Sequence, residues 1–192
     1  MKSKILISVA FIALGLLPSA ARADWLIEPG VGYENLRFKD NSLSPPFTSH
    51  LDGLTFDIRV GMTAGPGIFG VAGHAALLTD PQGTPPTNSY AATSLGVFAE
   101  LNLPEIPVIP RAQFNFLADL KNQEVRTGVS GTEFRFGLQY RFLHWLAINV
   151  DYVFDNYVNA YDDLAHTHSA IPSGQTPDSS SFILTLSAPL KI

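Results

Sequence analysis

The 192-residue sequence has no cysteine, so it can build neither a disulfide framework nor a thiolate metal site. Charge is scarce as well. Only 15% of residues are charged, where an ordinary soluble domain carries about 25%. Acidic residues (17) outnumber Lys and Arg (12) for a net charge of −5, which leaves no basic face for nucleic acid. No block of like charge marks a disordered tail, and 46% of the chain is hydrophobic, ample for an ordered structure. No apolar run reaches the ~20 residues that a membrane-spanning helix needs.

What is present begins with an address. Lys2 and Lys4 precede an apolar run over 5–17, Pro18 ends it, and Ala21-Arg22-Ala23 forms an A-x-A site. This is the layout of a secretory signal peptide cleaved after Ala23. The expected organisation is a signal peptide over 1–23 and one domain over 24–192. Losing Lys2, Lys4 and Arg22 leaves 9 basic against 17 acidic residues, a net charge of −8.

Beyond Asp24 apolar residues recur at every second position, the period of a strand. Leu54, Phe56, Ile58, Val60 and Met62 alternate with Thr55, Asp57, Arg59 and Gly61. Phe134, Phe136, Leu138, Tyr140 and Phe142 alternate with Glu133, Arg135, Gly137, Gln139 and Arg141. Ala112, Phe114, Phe116, Ala118 and Leu120 are placed on one face by the same pattern. Two further segments, from Leu146 and from Phe182, repeat it. Segments starting at Trp25 and near Leu95 are less regular, with Phe98 on the polar side, and 67–78 resists phasing. Eight segments result, each long enough to cross a bilayer as a tilted strand of ~9–11 residues.

The connections alternate in length: long at 39–50, 80–89, 121–128 and 159–180, short between them. Short turns on one side and long loops on the other suit an eight-stranded antiparallel up-and-down transmembrane β-barrel, an all-β fold. A soluble barrel, the competing reading, would carry Lys and Glu on its outer face. Here the lysines after residue 23 are Lys39, Lys121 and Lys191, all in loops or at the end. The polar face is instead rich in glycine, which suits the crowded interior of eight strands. Trp25, Tyr140, Phe142 and Trp145 collect at one end, and Tyr33, Phe56, Phe154 and Tyr157 toward the other, as two aromatic girdles.

With the apolar face on lipid, the charges face the lumen, since each Arg exposed at the membrane midplane costs ~2–4 kcal/mol. The expected interior network is Glu28, Asp57, Arg59, Glu100, Arg111, Asp119, Glu133, Arg135, Arg141 and Asp151. Matching heights suggest the pairs Glu28–Arg59, Glu100–Arg111 and Arg135–Asp151, forming a plug.

The signal peptide, the eight alternating segments and the unequal connections resemble the small eight-stranded outer-membrane barrels, typified by the OmpA transmembrane domain and the OmpX-type adhesion barrels. The resemblance implies the bacterial outer membrane, contact with its lipid including lipopolysaccharide, and passage through its assembly machinery. Relatives commonly end on an aromatic residue, where this sequence ends Leu190-Lys191-Ile192.

Chemistry is sparse. Asp162, Asp163, His166 and His168 have metal-ligand types, but they sit in a Ser-, Pro- and Gly-rich loop, and no metal or cofactor is expected. A lipid hydrolase would need a nucleophile, a base and an orienting acid. His74 shows no serine partner in sequence, and His144 reads as an interface residue. The expected function is therefore non-enzymatic: envelope structure, or recognition of a surface ligand by the loops at 39–50, 80–89, 121–128 and 159–180. A narrow solute channel and a lipid hydrolase are the alternatives.

Overall fold

The computed structural model describes residues 24–81, 89–103 and 106–192. The expected signal peptide lies outside them, as do residues 82–88 of the second long connection. Ten strands account for the regular structure: β1 (Trp25–Asp40), β2 (Phe47–Ala64), β3 (Gly67–Thr79), β4 (Ser89–Leu101), β5 (Val108–Asn122), β6 (Thr127–Leu143), β7 (Leu146–Asp162), β8 (Thr167–Ala170), β9 (Asp178–Ser187) and β10 (Leu190–Lys191). Strands β1 to β7 pair in order, and β9 pairs with both β7 and β1. All pairings are antiparallel, so eight strands close a ring with no free edge. The short β8 continues the ladder beside the outer end of β7, and β10 pairs with the start of β1.

Alternation drives this arrangement. Phe56, Ile58, Val71, Leu77, Phe136, Leu138, Tyr152 and Leu184 are exposed on the outside. Glu28, Asp57, Arg59, Arg135 and Asp151 are buried inside. Such a surface is unstable in water and suited to acyl chains. The strands also outlast the hydrocarbon. β2 has 18 residues and β7 has 17, against the ~9–11 a bilayer needs. Hence the loops are shorter than the sequence suggests. The first connection is 41–46 rather than 39–50, and the third is 123–126 rather than 121–128. In the fourth, β7 runs on to Asp162 and pairs with β8.

Above the membrane the faces exchange character, and β1 and β2 keep their parity through the change. On β1 the inward positions run Glu34, Leu36, Phe38, and the outward ones run Tyr33, Asn35, Arg37. On β2 the outward residues above Leu54 are Asp52 and His50, and Leu51 points inward. The upper wall is thus built as a water-facing barrel, apolar within and polar without.

Three expectations are corrected here. The ladder between β5 and β6 jumps from Asn115–Glu133 to Ala118–Gly131, a β-bulge in which Phe116 and Leu117 oppose Thr132. Both bulged residues face outward, so Ala118 and Leu120 turn inside, where they are buried. By the same step Asp119 leaves the interior. It sits half-buried on the outer side and accepts a hydrogen bond from Tyr161 Oη at 2.8 Å. Tyr157 is not a girdle residue. It is buried in the lumen with Leu36, Leu51, Leu78 and Leu120. The other expected girdle residues are exposed on the outer wall.

Candidate functional site: the sealed lumen and the loop face

The lumen is stacked in three layers. At the turn end Leu26, Ile68, Ala72 and Phe98 pack together. This explains why Phe98 fell on the polar side of its strand: it points inward and forms the floor. At the loop end Leu36, Leu51, Ala76, Leu78, Ala92, Ala118, Leu120 and Tyr157 form a second apolar layer, with Phe38, Tyr90 and Val129 against it. The ionised groups lie below the loop-end layer and reach down beside the turn-end cluster, where Glu100 stands opposite Ile68 and Arg59 opposite Ala72.

In the lower half of the polar layer Arg59 Nη1 donates to Glu28 Oε1 at 3.1 Å and to Glu100 Oε1 at 3.2 Å. Gln139 and Ser187 also donate to Glu28 Oε1, at 2.6 and 2.5 Å. Arg141 lies at the edge, half-buried, donating to Gln139 at 2.9 Å with Glu100 3.9 Å away. Arg111 donates from Nε to Asp151 Oδ1 at 2.7 Å and from Nη1 to Asn149 Oδ1 at 2.9 Å, and its Nη2 also bonds Asp151.

In the upper half Arg135 donates to Asp57 at 2.9 Å and to Glu133 at 3.0 Å. Asn115 ties Glu133 to Ser94, at 2.5 and 2.9 Å. His74 stands at the centre. Its Nδ1 is 3.0 Å from both Asp57 Oδ1 and Thr55 Oγ1, and its Nε2 is 3.0 Å from Glu34 Oε2. Ring nitrogens that both face carboxylates are satisfied by an imidazolium donating from each.

The pair Glu28–Arg59 is where the sequence suggested; the other two pairs are not. Arg111 stands directly opposite Glu100 in the ladder, yet it turns the other way, to Asp151. The reason is Gly137, which sits between Arg111 and Asp151 in one row of the sheet. A Cβ there would fall on the Asp151 carboxylate and within 2.9 Å of Arg111 Nε. Glycine leaves the gap through which the guanidinium reaches across. Arg135, with Asp151 taken, spans the lumen to Asp57 instead. Sequence reading also missed Glu34, His74, Gln113, Asn115, Gln139 and Asn149, all buried in this network. The alternation already placed five of them on the inward face. Only His74 lay in a strand that could not be phased.

The loop residues of metal-ligand type, Asp162, Asp163, His166 and His168, are placed by the structure in separate roles. Among the described residues no group of three or more His, Cys, Asp or Glu is placed to hold an ion. Asp162 instead caps its own turn, accepting from the Leu164 and Ala165 amides at 2.8 and 3.0 Å. Asp163 bonds Lys121 across to the third loop. That bond holds the exposed Asp163 carboxyl below its ordinary value of 3.8.

Two solved structures share this ring over nearly their whole length. One is Ail, the attachment invasion locus protein of Yersinia pestis, in complex with the heparin analogue sucrose octasulfate: 12% identity, TM-score 0.57, covering 87% of this chain and 99% of that one. The other is Neisserial surface protein A: 12% identity, TM-score 0.53, covering 88% and 99%. The fold is that of a small outer-membrane barrel. No family model matches the sequence, and no curated protein matches it either.

Proposed function

We propose that this outer-membrane barrel is a non-catalytic scaffold that presents its four loop-end connections for recognition at the cell surface. The observation that carries this reading is the filled lumen. An apolar layer at the loop end closes over buried, ion-paired side chains, with a smaller apolar cluster toward the turn end, which leaves no wetted path for a solute. Thr55, His74 and Glu34 have the residue types of a hydrolytic triad, but Asp57 shares the Thr55-facing nitrogen and the group is closed off above and below. A substrate has no approach to it. What remains free to act is the loop face on its rigid wall.

The loop face differs in charge from one suited to sulfated glycans. The connections and upper strands (35–52, 78–93, 118–132 and 156–180) hold four Lys or Arg and eight Asp or Glu. A polyanion would be repelled, so the fitting partner is neutral or basic.

Recognition by the loops is tested by replacing residues 159–176 with a four-residue Gly/Ser linker, which keeps Tyr157. The variant should still shift on heating in a gel, as a folded barrel does, while cells displaying it lose attachment to the surfaces that wild-type cells bind. Attachment unchanged by the exchange, or by the same exchange in the other long connections, overturns the reading. The refolded barrel should also pass through heparin unretained at about 0.15 M salt.

A further inference from the structure

The mouth of the barrel holds a cavity that neither the seal nor the proposed loop recognition uses. It measures about 280 Å³. Leu51, Leu120 and Val129 form its floor, which is the top of the upper apolar layer. Phe38, Phe47 and Tyr90 line its walls. Phe38 packs on Tyr157 beneath it, ring centroids 6.3 Å apart, so the wall is braced by the seal.

The rim carries charge of one sign. Asp40 continues the inward column of Leu36 and Phe38 and lines the cavity. Its Oδ1 is held in place by the Ser42 amide and hydroxyl, at 2.8 and 2.6 Å. Among the described residues no lysine or arginine lines the cavity. The nearby Lys39 and Lys121 sit at outward positions of their strands, where Asp178 (3.6 Å) and Asp163 engage them. An anion would meet a carboxylate with no compensating cation. A wholly apolar molecule would gain as much from the adjacent bilayer. A compact cation with an apolar body satisfies all three features: ring faces attract it, the floor takes its apolar part, and Asp40 balances its charge. The volume is near the lower end of ligand cavities, roughly 300–1,000 Å³.

We propose that this mouth is a binding cup for a small organic cation of the alkyl- or aryl-ammonium class. The probe is phenyltrimethylammonium, titrated calorimetrically into the refolded barrel in phosphatidylcholine nanodiscs, with empty nanodiscs subtracted. One saturable site is expected. Asp40→Asn, a rim change that leaves the seal intact, should weaken it about tenfold. The double change Phe38→Leu and Tyr90→Leu should weaken it at least as much, and benzenesulfonate should give no saturable heat. The heat-dependent gel shift of each variant reports that the barrel is folded. No saturable heat with wild type, equal affinity for benzenesulfonate, or unchanged affinity in a folded Asp40→Asn variant overturns the proposal. A barrel whose cup stays empty is still sealed and still presents its loops, so this failure is separate from failure of the function proposed above.

Discussion

Asp151 is completely buried, and its partner Arg111 is nearly so. Removing one member of such a pair leaves an uncompensated charge in a dry interior, at a cost of ~3–5 kcal/mol. Asp151→Asn should therefore lower the urea midpoint of the refolded barrel by that equivalent, followed by Trp25 and Trp145 fluorescence. Gly137→Ala should do similar damage although it removes no charge, because the new methyl occupies the place of the Asp151 carboxylate. A neutral outcome for both would mean that the row Arg111–Gly137–Asp151 does not hold the lower lumen together. Asp163 behaves differently because it is exposed. Its carboxyl is depressed by the hydrogen bond from Lys121. A depressed carboxyl contributes stability above its ordinary value of 3.8 and loses it as the pH falls through the lower folded value. The tie between the third and fourth connections should persist at pH 5 and release only below pH 3.8, read as faster amide exchange around Asp163. Asp163→Asn should show fast exchange at every pH.

At the scale of the strand, the bulge in β5 decides what faces what. Phe116 and Leu117 together take one step of the ladder. Deleting Leu117 removes the extra residue and leaves Ala118 and Leu120 inward and Asp119 outward. The upper seal keeps its members, so the variant should retain the heat-dependent gel shift of a folded barrel. Loss of that shift would mean that the bulge itself is required for folding. This bulge also marks the limit of what the sequence discloses. β2 alternates without interruption from Leu54 to Met62 and β6 from Glu133 to Phe142, so their facing there is legible residue by residue. In β5 two consecutive apolar residues fit either phase, and only the register against β6 settles which. Tyr157 is a different case. It shares the odd numbering of Asp151 and Val153, so parity alone put it inside; its closeness to the segment end suggested the girdle. Ion pairs were the least legible feature. Arg111 and Glu100 stand opposite each other, yet the pairing follows the empty space over Gly137 on the next strand, to Asp151 two strands away.

At the scale of the whole molecule, the closed ring is the reason that inward charge is tolerated at all. Three buried arginines and His74 face six buried carboxylates, Glu28, Glu34, Asp57, Glu100, Glu133 and Asp151. Each has partners only because the wall brings seven strands around one axis. A lumen filled in this way should leave the molecule electrically quiet. The wild-type barrel should give no steady conductance in a planar bilayer, and the double change Leu51→Ala and Tyr157→Ala should introduce brief openings by letting water past the upper layer. Each truncation should also cost ~2–5 kcal/mol of stability. A large, steady wild-type conductance would refute the sealed lumen.

The exchange of faces above Tyr33 and Leu54 has a consequence for how deep the protein rides. Below that line the wall sheds water, and above it the wall sheds lipid. Sinking by one residue pair would drag Asn35, Asp52 and, next, Arg37 into hydrocarbon, while rising by one would strand Leu54 and Phe56 in water. The strands thus carry their own waterline, and the immersion depth is set all the way round the hull without a separate anchor.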